Sequence, residues 1–266
     1  MKLFKFIFGL MSKLLSIFFH ILGRLIVFLP AYARNVFLSE VDRSLAFLPS
    51  STRNLLLFET RSIIGLKLSK PLILDKSSEN YINLGSGSVT FSDYINIDFF
   101  SINVDYQADL RYPLKIEDNI INGIFSEHTL EHLTYDQVQR LLMECYRILK
   151  PGGKIRIIVP DVSIFLKNYC LNNSDWFSRW EKQVFLESKD ASRRNRKMIS
   201  KMTAISFVTQ EYGHVSCWDF ETLEIFLLNA NFTDIIKTTF SKGPNNKLLR
   251  DNDSRTLVSL YVEASK

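Results

Sequence analysis

Acidic residues are missing from the first 39 positions of this 266-residue chain, where Lys2, Lys5, Lys13, Arg24 and Arg34 all precede Glu40. Those five cations equal the whole formal net charge of +5, so the rest of the chain is balanced. A nucleic-acid binder carries its surplus on the folded body, as a stripe facing phosphates, so no nucleic-acid partner is expected. Cysteine is scarce as well: Cys145, Cys170 and Cys217 are odd in number, far apart, and show no CxxC or Cys/His ligand spacing. That pattern excludes a disulfide framework, offers no structural zinc and leads us to expect no metal. It fits a reducing cytosol. Internal repeats and low-complexity tracts are also absent, and nothing in the sequence assigns an oligomeric state.

A long uninterrupted apolar run is lacking too. Between Lys13 and Arg24 only Leu14 to Gly23 are free of charge, where a span needs about 20 apolar residues. What is present over residues 1–30 is helical periodicity. Lys2, Lys5, Gly9, Ser12, Lys13, Ser16, His20, Gly23 and Arg24 share one sector, while Leu3, Phe4, Ile7, Leu10, Met11, Leu14, Phe18, Leu22 and Leu25 face away. We expect an amphipathic helix in the headgroup plane, its cations toward anionic lipid, placing the chain peripherally on the cytoplasmic face of the cell membrane. Three other readings compete. They are a tilted span, a secretory signal ending at Ala31-Tyr32-Ala33, and a helix docked on the protein's own core.

Residues 31–78 read as a helical connector, with helical spacing in Val41 to Leu48 and Asn54 to Ile64. From residue 79 to 266 strands alternate with helices. The expected strands are Tyr81 to Leu84, Tyr94 to Asp98, Val104 to Ala108, Gly123 to Phe125, Lys154 to Val159, Asp234 to Phe240 and Thr256 to Glu263. Thr134 with Gln137 forms a capping box before an apolar stripe of Val138, Leu141, Leu142, Cys145, Ile148 and Leu149. Lys150-Pro151-Gly152-Gly153 reads as the turn that ends this helix. Asp219 caps a later helix running through Leu227. The stretch 163–209 is too long for a simple connection and is expected to form helices over an acceptor site. The fold class is therefore α/β, a Rossmann-like doubly wound, mostly parallel seven-stranded sheet.

Ligands of such sheets sit beyond the carboxyl ends of the strands, at the point where strand order reverses. After the first strand comes Gly85-Ser86-Gly87, at the end of the second Asp98, after the third Asp109-Leu110, and after the fourth Ser126-Glu127-His128. Glycines permit close approach of a ligand to the backbone, and an acidic residue ending the second strand accepts hydrogen bonds from a ribose. A dinucleotide fingerprint is not met, because Thr90 stands where a third glycine belongs. Asp98 also follows Gly85 by only thirteen residues, against about 20 in that fingerprint.

These blocks resemble class I S-adenosylmethionine-dependent methyltransferases, in the methyltransferase-11-like branch associated with surface-polysaccharide biosynthesis. The likeness rests on Asn83-Leu84-Gly85-Ser86-Gly87, Ile95-Asn96-Ile97-Asp98, the run from Ser126 to Leu133, and Leu149-Lys150-Pro151-Gly152-Gly153 followed by Val159-Pro160-Asp161. The resemblance implies S-adenosylmethionine as cofactor. Asn83 would face its ammonium group, Gly85, Ser86 and Gly87 would pass its methionine portion, Asp98 would hold the ribose, Asp109 and Leu110 would flank adenine, and Ser126 would close the pocket. Asn83 departs from the Asp or Glu common there. His128, Glu127 and His214 are the candidate catalytic residues, with His128 as general base for an acceptor hydroxyl. Glu131 and His132 read as the start of the following helix. The expected acceptor is a small molecule or glycan, giving O-methylation of a saccharide or lipid-linked intermediate. The alternatives are a lipid or quinone acceptor and a non-catalytic membrane scaffold that binds the cofactor. Arg193, Arg194, Arg196, Lys197 and Lys201 form a basic cluster suited to an anionic glycan, a lipid phosphate or the membrane.

Overall fold

The computed structural model describes residues 17–19, 21–26, 28–29, 31–46, 57, 60, 70–99, 104–186 and 197–266. They fall into two compact units: Met1–Pro71 with Gln107–Asp109, and Leu72–Tyr106 with Leu110–Lys266.

In the first unit, residues 17–19 and 21–26 are helical, and helix α1 spans Ala31–Ser44. Ile26, Leu38 and Leu57 form its small core, with Leu22 and Val41 against it. Phe19 is buried, and its carbonyl accepts the Thr60 hydroxyl at 3.0 Å. One face of the first helix is thus packed, whereas Ile17, Phe18, Ile21 and Leu25 are at least half exposed. No helix among the described residues is long and apolar enough to cross a membrane. The rest of the expected N-terminal amphipathic helix, and nearly all of the helical stretch expected from Asn54 to Ile64, lie outside the described residues.

The second unit is built on a seven-stranded, mostly parallel, Rossmann-like sheet. Its strands are β1 (Tyr81–Leu84), β2 (Ile95–Asp98), β3 (Tyr106–Gln107), β4 (Ile121–Glu127), β5 (Leu149–Pro160), β6 (Thr233–Thr238) and β7 (Ser259–Ser265), ordered 3-2-1-4-5-7-6. β1 is parallel to β2 and β4, and β4 to β5. β7 runs antiparallel to both β5 and β6. Ile82, Ile97, Ile124, Ile157 and Val159 are buried to within 1%, as continuous apolar runs covered on both faces of a parallel sheet require. Strand order reverses at β1, so the crevice at its carboxyl end is the expected ligand position.

Helix α2 (Tyr135–Ile148) begins at the expected capping box: the Thr134 side chain accepts from Gln137 N, and Gln137 Oε1 accepts from Thr134 N at 2.9 Å. Val138, Leu141, Leu142, Cys145 and Ile148 are its buried stripe. Burial pushes the Cys145 thiol up to about 12, which leaves it an inert core residue. The segment Lys150 to Gly153 departs from expectation, since it lies inside β5 rather than before it. Ile121 pairs with Leu149, yet Gly123 pairs with Lys154, so the extra residues form an irregularity in the ladder. Gly152, at φ +76°, makes that bend.

The long connection folds as α3 (Val162–Cys170), α4 (Ser174–Glu181) and α5 (Lys201–Gln210), with residues 187–196, and so Arg193, Arg194 and Arg196, outside the described set. Phe165, Trp176, Phe177, Trp180, Phe185 and Val208 give it a core of its own. Helix α6 (Phe220–Asn229) is capped by Asp219, which accepts from Thr222 N at 2.9 Å.

Candidate active site

The turn after β1 is made by backbone geometry that only small residues allow. Gly85 has φ +71° and donates its N–H to Ile97 O at 2.8 Å. A Cβ on it would lie 2.8 Å from Thr129 Cβ and closer still to Thr129 Cγ2 and Oγ1. Gly87 has φ +55° and donates to Asp98 Oδ2 at 2.9 Å, while a Cβ there would meet nothing within 4 Å. Its outer side is therefore open to a ligand. Ser86, between them, is buried, and its hydroxyl has no hydrogen-bond partner. A buried orphan hydroxyl beside an open glycine and a carboxylate at a strand end fits a polar ligand such as an amino-acid-bearing nucleoside.

Residues 85–94 form turns without a helix, and two asparagines fix them. Asn83, buried in β1, donates from Nδ2 to Val89 O at 2.8 Å and to Asn96 Oδ1 at 3.1 Å. Asn96 in turn accepts from Phe91 N at 2.9 Å and donates to Asp105 Oδ2 at 2.8 Å. Position 83 thus needs a donor, which an amide supplies and a carboxylate does not. Asn83→Asp is expected to set a carboxylate against two acceptor oxygens and to destabilise the domain by roughly 1–3 kcal/mol in urea unfolding. Wild-type stability in that variant would refute this role for the amide.

Ser126 and Glu127 lie within β4, not after it. The strand is longer than its apolar centre suggested because Ser126 pairs with Ile157 and Glu127 with Ile158. The Ser126 hydroxyl donates to Leu84 O at 3.1 Å, tying β4 to the end of β1. Glu127 Oε1 accepts Asn252 N at 3.0 Å. Thr129, which sequence reasoning passed over, donates toward Leu84 O and Gly85 O, both at 3.3 Å, and forms the floor against Gly85. Asp109 is buried within the Gln107–Asp109 stretch of the first unit, and Leu110 is at the margin of burial in the second. Gly85, Ser86, Gly87, Asp98, Ser126 and Thr129 are therefore brought together at the ends of β1, β2 and β4.

His128 leaves β4 with φ +52°, a left-handed conformation that costs a residue with a Cβ about 1–2 kcal/mol. Its Nε2 is 2.9 Å from Ser259 Oγ and its Nδ1 3.3 Å from Glu131 Oε1. Leu130–His132 form a 3-10 turn, not the first turn of α2. That turn buries the Glu131 side chain, and neither of its carboxylate oxygens makes a well-formed hydrogen bond. Burial pushes this carboxyl up, but His128 and His132 more than offset that and hold it below the usual carboxylate range. His214 reaches the same place: its Nε2 is 4.0 Å from Glu131 Oε1, and its ring meets that of His132 edge-on at 5.0 Å. Desolvation of the ring, with His214 and His128 near it, holds His132 below the ordinary imidazole range despite Glu131. The histidine signal was legible at positions 128 and 214; the buried role of Glu131 and the place of His132 beside it were not.

A separate cleft lies at the amino-terminal ends of β1 and β2, lined by Glu79, Tyr81, Asp93, Tyr94, Lys247 and Arg250. The ion pairs Lys247–Glu79 and Arg250–Asp93 lie along it, and strand polarity puts it at the opposite end of the sheet from the glycine turn.

Residues 57–157 match a family model described as a methyltransferase domain. No curated protein matches the chain. Among solved structures, a SAM dependent methyltransferase from Archaeoglobus fulgidus is 16% identical, covering 72% of this chain and 87% of that one, with a TM-score of 0.43. An S-adenosylmethionine dependent methyltransferase from Mesorhizobium loti is 15% identical, covering 73% and 94%, at 0.39. The Haemonchus contortus phosphoethanolamine N-methyltransferase 2, solved with S-adenosyl-L-methionine, is 14% identical, covering 77% of this chain and 52% of that one, at 0.40. Over residues 57–157 the chain is therefore similar to methyltransferase domains.

Proposed function

We propose that this enzyme methylates an oxygen of a saccharide or lipid-linked glycan intermediate at the cytoplasmic face of a membrane. The observation that carries the cofactor end of this reading is the orphan Ser86 hydroxyl, buried at a glycine turn that Asp98 closes. S-adenosylmethionine supplies a methyl group already activated on a sulfonium, so the protein has chiefly to align an acceptor and exclude water. Asp98 holds the ribose hydroxyls, and the backbone of Gly85 to Gly87 passes the methionine portion. Leu110 lies beside the adenine and Ser126 closes the pocket. His128, with Glu131 behind its Nδ1, takes the acceptor proton; Glu127 and His214 complete the acceptor side.

Two groups of exposed apolar side chains support an amphiphilic acceptor and a membrane surface. Ile17, Phe18, Ile21, Leu25 and Phe28 are exposed in the first unit, and Leu166, Tyr169, Leu171 and Met202 on the inserted segment of the second. The same observation favours a lipid or quinone acceptor as the second reading. Isothermal titration should find that Asp98→Ala weakens S-adenosylmethionine binding by roughly tenfold or more, since it removes a ribose acceptor. Unchanged affinity would refute the pocket assignment. Incubating labelled cofactor with membrane extracts then separates the two acceptors, by label entering glycan or solvent-extractable lipid.

A further inference from the structure

The chain has four histidines in 266 residues. Three of them, His128, His132 and His214, meet around one buried carboxylate. One donor atom each from Glu131, His132 and His214 lies within 4.8 Å of the other two. Such clustering of rare residues at a strand end has no packing rationale, since an apolar side chain would fill the space without desolvating a carboxylate. Glu131 is 1% exposed and neither oxygen makes a well-formed hydrogen bond, His128 Nδ1 approaching Oε1 only to 3.3 Å, so its negative charge is held inside the protein and aimed at imidazoles. A cation between them is what such an arrangement calls for.

We propose that Glu131, His132 and His214 bind a divalent transition-metal ion of the zinc class. Two imidazoles and a carboxylate, with one position left for water, are a donor set that such ions accept. An ion holding nitrogen and oxygen ligands at about 2.0–2.2 Å spans pairs up to about 4 Å apart, so movements of about 1 Å or less close the set. The surroundings are arranged as ligand supports are. His214 Nδ1 is 2.7 Å from Val208 O, which fixes the tautomer with Nδ1–H donating and turns the Nε2 lone pair toward Glu131. The peptide of Glu131 is pinned by Val215 N at 2.8 Å and Ser216 N at 3.3 Å, which joins the two ligand-bearing segments directly. His128, 3.3 Å from the carboxylate and 2.9 Å from Ser259 Oγ, orients Glu131 rather than ligating. Part of His132 reaches solvent although its ring is largely desolvated, and we assign that outer side as the entry path and the open coordination position.

The test is a titration of chelator-treated full chain with Co2+, read by its visible d–d absorption, then displacement with Zn2+. One saturable equivalent is expected, displaced by Zn2+. His132→Ala and His214→Ala should each weaken binding roughly 100-fold or more, and His128→Ala by about tenfold. Part of His132 reaches solvent, so His132→Ala keeps the wild-type circular dichroism and melting curve, and loss of the band there reports ligation and not misfolding. Absence of a one-equivalent band, or its persistence in either His132→Ala or His214→Ala, overturns the proposal. The measurement contains no S-adenosylmethionine, so its result stands apart from the acceptor proposed above.

Discussion

Arg156→Leu is expected to lower the stability of the sheet domain by about 3–5 kcal/mol, a drop on the order of 10 °C in melting temperature for a domain of this size. Arg156 sits in the middle of β5 with no solvent exposure. Its Nε and Nη2 meet Asp251 at 2.7 and 2.5 Å, its Nη1 meets Glu263 of β7 at 2.6 Å, and it also donates to Thr238 Oγ1, Thr239 O and Lys242 O. Burial alone would lower the guanidinium pKa, but Asp251 and Glu263 hold it above its ordinary value. Glu263 stays above the usual carboxylate range, because burial outweighs what Arg156 returns. Removing the cation therefore strands two buried acids. The triple variant Arg156→Met, Asp251→Asn, Glu263→Gln should recover much of the loss, because neutral groups of similar shape need no counter-charge. Chemical unfolding of both variants is the measurement. A loss below about 1 kcal/mol in the single variant would show the network to be dispensable.

Gly85→Ala carries the second large effect. Left-handed backbone at φ +71° costs an alanine about 1–2 kcal/mol, and its Cβ would overlap the Thr129 side chain. The turn must shift outward, into the space the cofactor is to take. S-adenosylmethionine affinity should fall at least tenfold, with unfolding showing a loss of roughly 2 kcal/mol or more. Pairing it with Thr129→Gly removes the overlap but not the backbone strain. A double-mutant cycle should therefore give a favourable coupling of roughly 1 kcal/mol or more. Gly85→Ala binding within about twofold of wild type would remove the turn from the site.

Much of this architecture was legible because its signals are local. Tyr81–Leu84 is the strand expected, the Thr134 box caps the helix expected, and Asp219 caps another. Strand ends were less legible: β4 and β5 extend through polar or glycine-containing residues because neighbouring strands supply ladder partners, a tertiary effect. The site divided in the same way. Gly85, Gly87 and Asp98 announced themselves by residue type and by their place after apolar runs. Thr129 did not, because its role is to touch Gly85 across the fold. Glu131 and His132 looked like an ordinary helix start, since the partner that changes their meaning, His214, arrives from a distant segment. Arg156 was invisible for the same reason, its acids lying far along the chain.

The short turn between β1 and β2 has a thermodynamic corollary. Asn83 and Asn96 already lock its peptide groups before any ligand arrives, so docking need not supply the conformational entropy of ordering a loop. Association there is that of a rigid wall with a small molecule, governed by contact and desolvation.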